Sequence, residues 1–398
     1  MVGLYFPQEE FEERWRNVEE EMKGRGYDVA VIWSRSASTH ERCADVLYLT
    51  NWYSCHSGHE PEVPLWSARA HAAVIMQAGE TPHLHMDEPS PRTEDLATDR
   101  VDWHMNPVEG VAKELNRRGV SGRVALVGSD FFGVKYMRQL ESMTPDIEWV
   151  FEDDLVQKPR LIKSPLELDA FREGGETVTL GLNAMMKGLL AGKSEREAAG
   201  EAAKIVVERG GVPTIIRCSH GVDREMINFA REPLTGASVD APKEGDMVRA
   251  WLMGPMCKGY WLDPGRTTVR GRPTSAQRDL IEACGGIVEG VIEAFRPGIS
   301  AKELARIGDK LTEEAHGDPD QAGEQWPLYG HSCGLYFERP VYGEETCTDD
   351  EVIEANMVCS SEAFLMRKGV GAAGFEQNFI VKEDGIEMLT NTPMYFWD

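Results

Sequence analysis

The chain has 398 residues, enough to bury a substantial core in two or three domains or in one unusually large one. Its 67 acids outnumber 42 lysines and arginines, and the formal charge of −25 argues against nucleic acid and anionic lipid as partners; it fits a solvated, solubility-promoting surface first and would also help a cationic small molecule approach. No apolar run reaches the length of a membrane span, the start of the chain lacks a basic region followed by an apolar core, and the eight cysteines show no CxxC pair, so a soluble cytoplasmic protein is expected.

Phe11, Trp15, Val18 and Met22 recur at helical spacing within residues 10–26, and 28-DVAVIW-33 follows as a short apolar strand. The segment 34–71 is rich in turn formers, aromatics and histidine and yields no regular element. Val108, Val111 and Leu115 mark another helix, ended by the glycines at and just after 119, before the strand 124-VALVGS-129. The glycines of 128-GSDFFG-133 do not have the spacing of a dinucleotide-binding turn. This first part reads as an α/β domain over residues 1–160.

Around 155–165 irregular chain gives way to a helix, with Ser164 as cap, Pro165 at the first helical position and Glu167 in the first turn. Helices are expected at 166–190, 195–209, 275–295 and 301–315, and strands at 246–254, 356–366 and 373–382. Residues 161–398 therefore read as an α+β domain with mixed strands and no phosphate-binding loop.

Four potential metal ligands stand in that second domain. Asp263 lies in 259-GYWLDPGRT-267, His331 opens 331-HSCGLYFERP-340, Glu362 sits in 357-MVCSSEAF-364 and Glu376 in 374-GFEQNF-379. Each occupies an apolar or glycine-rich setting, where an unpaired charge is costly. Three carboxylates and an imidazole suit one divalent ion of the zinc, manganese, iron or cobalt type. Spacing alone leaves the alternatives open: Asp263 paired with Arg266 or capping the turn at Pro264 and Gly265, His331 as a core histidine, and Glu338 paired with Arg339 or Arg367.

Taken in order, GY…D…RT, GH..GL, the Glu362 segment and GFEQNFIVKEDGIEMLT resemble the creatinase and methionine-aminopeptidase, or pita-bread, family of M24 type over residues 165–398. The first domain resembles the smaller α/β domain of creatinase, prolidase and aminopeptidase P. The resemblance implies an α/β creatinase-like N-terminal domain followed by an α+β pita-bread catalytic domain, and a homodimer in which Trp52, Tyr53, His56 and His59 could reach a neighbouring pocket. It also implies that Asp263, His331, Glu362 and Glu376 hold a metal. Two-metal members carry a further acid eleven residues before the aspartate; here that count falls on Leu252, so a single ion is expected.

Other departures bear on activity. GHSCGLYFERP lacks the second histidine of the peptidases, and 228-NFAREPLTGASVD-240 lacks another, leaving His220 as the nearest upstream candidate. The shortened segment resembles a branch that includes dimethylsulfoniopropionate lyase. Carried onto this chain, Glu362 shuttles a proton, His331 and Glu338 join the catalytic set, and Glu338, Arg266 and His220 contact substrate. The expected function is a metal-assisted small-molecule hydrolase cleaving a C–N bond in a cationic or zwitterionic amino-acid derivative. The alternatives are a lyase of a dimethylsulfoniopropionate-like substrate and a non-catalytic binding protein on the same fold.

Overall fold

A computed structural model of the chain describes residues 3–35, 43–53, 63, 66–89, 92–221, 232–316 and 326–397. His56 and His59 lie outside the described residues. The chain divides into two compact units, Met1–Arg160 and Leu161–Asp398.

In the first unit the elements are α1 (Gln8–Gly24), β1 (Val29–Arg35), α2 (Ala44–Thr50), β2 (His71–Gln77), β3 (His83–Met86), β4 (Val101–Trp103), α3 (Pro107–Arg118), β5 (Gly122–Val127), α4 (Val134–Met143), β6 (Ile147–Phe151) and α5 (Gln157–Arg160). One six-stranded sheet runs β4-β3-β2-β1-β5-β6. The helical face read from Val108, Val111 and Leu115 packs on Val31, Trp33, Val124 and Leu126. Helix α3 starts where Asn106 accepts hydrogen bonds from the amides of Val108 and Glu109, and stops at Gly119, whose φ of 69° suits a residue without Cβ.

The second unit contains α6 (Pro165–Leu190), α7 (Glu195–Glu208), β7 (Ile215–His220), β8 (Met247–Cys257), β9 (Tyr260–Leu262), β10 (Gly265–Val269), α8 (Ser275–Ala294), α9 (Ala301–His316), β11 (His331–Cys333), β12 (Phe337–Val341), β13 (Val358–Arg367), β14 (Gly371–Lys382) and β15 (Gly385–Met388). Its antiparallel sheet runs β12-β11-β13-β14-β10-β8-β7, with β9 beside β8 and β15 beside β14. A capping box starts α6: Ser164 Oγ accepts from the Glu167 amide, and the Glu167 carboxylate accepts from the Ser164 amide. The same carboxylate accepts from Tyr260 Oη at 2.6 Å, which joins the helix start to the β8–β9 hairpin. No helix among the described residues is long and apolar enough to cross a membrane, and the seven described cysteines are buried.

Successive side chains of a strand point to opposite faces, so this sheet has two chemically distinct sides. One side packs on helices: Cys218 Sγ lies 3.6 Å from Met185 Sδ of α6, Cys284 Sγ of α8 donates to the Ala363 carbonyl, and Phe375 and Phe379 join the α8 core. The other side carries Trp251, Phe364, Met366 and Ala372, with Trp326 packed against them.

Three residues expected at the substrate need correction, two of them because of this two-sidedness. His220 alternates with Ser219 to the side of Cys218, and its Nδ1 lies 2.7 Å from Oε1 of buried Glu195 at the start of α7. Arg266, directly after Gly265, is fully buried and donates to the carbonyls of Gly265, Glu376, Thr392 and Pro393 and to Gln377 Oε1. Five acceptors account for its guanidinium, so it ties the C-terminal segment to the sheet. Glu338 is paired with Lys163 Nζ at 3.0 Å, and both side chains are buried. Its carboxylate is committed to structure rather than to a substrate cation.

Breaking a buried pair on one side strands the other charge. Lys163→Met is therefore expected to lower the free energy of unfolding by about 3–5 kcal/mol. Adding Glu338→Gln should recover much of that loss in urea titrations, and an unchanged deficit in the double variant would refute the stranded-charge explanation.

Candidate metal centre

Asp263 sits in the turn between β9 and β10, followed by Pro264 and Gly265. Gly265 pairs with Glu376 on one side and Trp251 on the other, and a Cβ there would meet Trp251 Cε2 at 1.8 Å. Only glycine lets the indole lie over this point. On the neighbouring strands Glu362 stands directly opposite Glu376. His331 begins β11 after Gly330, whose φ of 128° and approach to the Ser360 carbonyl leave no room for a side chain.

His331 Nδ1 lies 2.9 Å from the Ser332 carbonyl and donates to it, which leaves Nε2 as the nitrogen that faces the acids. That nitrogen is 3.3 Å from Asp263 Oδ2 and 3.5 Å from Glu376 Oε1. The other oxygen of each acid is occupied: Asn378 Nδ2 donates to Asp263 Oδ1 at 2.7 Å, and Trp251 Nε1 donates to Glu376 Oε2 at 2.9 Å. Asp263 Oδ2 and Glu376 Oε1 are buried and have no hydrogen-bond partner. Two orphaned carboxylate oxygens thus converge on one imidazole nitrogen.

The electrostatics match that convergence. Burial, reinforced by the charge of Asp263, raises the Glu362 carboxyl to about 7. Burial and the neighbouring acids push Glu376 well above the usual carboxylate range. His331 is desolvated, yet Asp263 holds it well above its ordinary value. Like charges directly opposite on antiparallel strands repel, and a cation between them removes the cause. One nitrogen and three carboxylates fit a divalent ion of the zinc, manganese, iron or cobalt type.

Cys333 offers a ligand atom within 4.8 Å of those of Asp263 and His331. Burial pushes its thiol up to about 12, so at neutral pH it is a protonated, weak donor beside them. A second cluster, His83, His85 and Asp102, belongs to the first unit and is a different site.

The missing-acid position needs correction. Leu252, eleven residues before Asp263, turns to the helical side, where a Cβ on Gly181 of α6 would come within 2.6 Å of its Cδ2. Trp251 is the residue in register with Gly265 and Glu376. A register shift between Pro255 and Cys257 adds a residue to the hairpin, so counting back eleven selects the wrong face. Sequence reading also passed over Asn378, although its spacing of two from Glu376 in GFEQNF puts both on one face of a strand.

The family model described as metallopeptidase family M24 matches residues 169–383, more than half of the 398. An Xaa-Pro dipeptidase from Lactobacillus delbrueckii subsp. lactis is 23% identical over 290 residues, covering 72% of this chain and 76% of the relative. One from Pyrococcus furiosus is 27% identical over 244 residues, covering 60% and 66%. Among solved structures, an Xaa-Pro dipeptidase from Bacillus anthracis matches 96% of this chain and 98% of its own, with a TM-score of 0.77 and 19% identity. A prolidase from Pyrococcus horikoshii matches 96% and 99%, with a TM-score of 0.76 and 21% identity. At such identities the structural likeness speaks for the fold. Together with the family match and the donor cluster on the sheet, it makes this chain an enzyme of metallopeptidase family M24, with an α/β domain preceding a curled antiparallel sheet.

Proposed function

We propose that the second unit hydrolyses the amide C–N bond of a dipeptide-sized substrate of the Xaa-Pro type, using one divalent ion held by Asp263, His331, Glu362 and Glu376. The observation that carries this reading is the convergence of Asp263 Oδ2 and Glu376 Oε1, both without partners, on His331 Nε2. The substrate class is supported by the Xaa-Pro dipeptidases among the relatives. A free dipeptide is itself a zwitterionic amino-acid derivative, and the net charge of −25 favours approach of its ammonium end. With dipeptidases as relatives, hydrolysis takes precedence over the elimination suggested by the shortened GHSCGLYFERP segment.

An ion at this site supplies Lewis acidity toward a carbonyl oxygen and a nucleophile at neutral pH. The chain's own residues do the rest. Ser332 fixes the His331 tautomer, and Asn378 holds Asp263 so that a single oxygen faces inward. Glu362 accepts a proton from the attacking water and delivers it to the leaving nitrogen. Phe337, 41% exposed and edge-on to the His331 ring at 4.6 Å, offers an apolar surface to a saturated ring.

Trp251 sets the number of ions. Its indole N–H donates to Glu376 Oε2, which takes that oxygen out of the set of donors left for an ion, and its ring covers Gly265. The carboxylate is left with one oxygen for coordination.

Three outcomes test this reading. Asp263→Ala should release one equivalent of metal that Leu252→Ala retains, and chelation should abolish Xaa-Pro hydrolysis reversibly; full turnover by chelated protein would rule the mechanism out. Glu362→Gln should lower kcat by about 100- to 10,000-fold, with proline after the scissile bond still preferred over alanine. Trp251→Phe keeps the ring but removes the donor, and should weaken metal binding at this centre by about 10–100-fold in calorimetric titration. An unchanged affinity would show that the indole does not orient Glu376.

A further inference from the structure

The first unit carries a donor cluster with no part in the chemistry above. Alternation along β3 turns His83 and His85 to one face, away from Leu84 and Met86. Parallel pairing sets His85 beside Asp102 of β4, and His104 follows two residues later. Strand β3 and the stretch from β4 to His104 just beyond it thus bring four polar side chains together. Helix α3 accommodates them at Gly110, where a Cβ would come within 2.4 Å of the His104 ring.

The hydrogen bonds divide these groups into holders and candidates. His104 Nε2 lies 2.9 Å from His85 Nδ1, which leaves His85 Nε2 buried and without a partner. His83 Nε2 lies 3.0 Å from Asp102 Oδ2. His83, His85 and Asp102 each offer one ligand atom within 4.8 Å of the others. The His85 side chain is completely buried, whereas Asp102 is half exposed, so the cluster opens to solvent through the carboxylate.

We propose that His83, His85 and Asp102 form a second, independent divalent transition-metal site, with His104 orienting His85 through its other ring nitrogen. Two imidazoles and one carboxylate suit zinc, cobalt or nickel, with water completing the coordination. Burial lowers the pKa of His83, His85 and His104, which keeps the rings neutral and their lone pairs available. Facing charges from α3 are Glu109, Lys113, Glu114 and Arg118, with Arg100 nearby. Arg118 Nη2 donates to His83 Nδ1 at 2.9 Å, so the His83 proton is on Nε2, facing Asp102 Oδ2. Metal binding through Nε2 moves that proton to Nδ1, so Arg118 Nη2, itself only a donor, must turn away from that nitrogen; Glu114 Oε1, 3.5 Å away, is the acceptor on that side, and Arg118 Nε keeps its 2.8 Å bond to Glu114. No proton is released by this tautomer change, and the carboxylate behind His83 takes the role of an outer-sphere acceptor.

The test is a cobalt(II) titration of metal-stripped full-length chain, followed by visible absorption and elemental stoichiometry. The parent should bind two equivalents, Asp102→Ala and His85→Gln one each, and Asp263→Ala one that resides in the first unit. Asp102→Ala changes a half-exposed side chain and should retain Xaa-Pro hydrolysis. His104→Phe should weaken the same site by about 10–100-fold. The site is refuted if Asp102→Ala and His85→Gln both bind as many ions as the parent, or if the parent binds one ion and Asp263→Ala none. The latter outcome would leave the proposed hydrolytic centre intact, so failures of the two readings are distinguishable.

Discussion

Alternation along the antiparallel strands of the second unit decides which side chains meet. Glu362 and Glu376 face each other across β13 and β14, and Gly265 extends that row to Trp251 on β8. Asp263 and His331 reach the same place from the ends of short strands. One residue of slippage would turn this row toward the helices and replace it with apolar side chains. The helices on the opposite face thus do more than cover the sheet: Phe375 and Phe379, buried among α8 side chains, hold Glu376 and Asn378 on the other side.

That arrangement gathers acids where water cannot solvate them. Each of the two inward oxygens on Asp263 and Glu376 lacks a hydrogen-bond donor, while the outward oxygen of each has one. The asymmetry directs negative charge at a single point. Without a cation, the cluster relieves its repulsion by taking up protons, as the raised Glu362 and Glu376 carboxyls indicate. The His85–His104 pair in the first unit follows the same logic on a smaller scale, since one ring nitrogen is occupied and the other is left without a partner.

Much of this was legible in the sequence, and the parts that were not share a cause. Ser164, Pro165 and Glu167 announced the start of α6 because capping is local chemistry, and Val108, Val111 and Leu115 marked a helical face by spacing alone. The ordered motifs around Asp263, His331, Glu362 and Glu376 pointed to one cluster. Facing, by contrast, depends on tertiary register. His220 and Arg266 lie in sequence beside plausible site segments, but their side chains turn away, and Glu338 is claimed by Lys163, 175 residues earlier. Leu252 was selected by a count that a bulge makes invalid. Strands β3 and β4 have only four and three residues, too few for periodicity to carry a signal, whereas the apolar run of β2 was there to be read.

The contact between Gly265 and Trp251 has a consequence for how this site can change over generations. The indole rests where no side chain at 265 could fit, so the two positions are coupled by shape as well as by the hydrogen bond to Glu376. An acid introduced at 251 would leave a ring-sized void over the glycine and expose the Glu376 oxygen at the same moment. A bulkier residue at 265 would evict the ring before any acid could replace it. Either substitution alone carries a packing cost, so the shape of this contact ties what can stand at 251 to what can stand at 265.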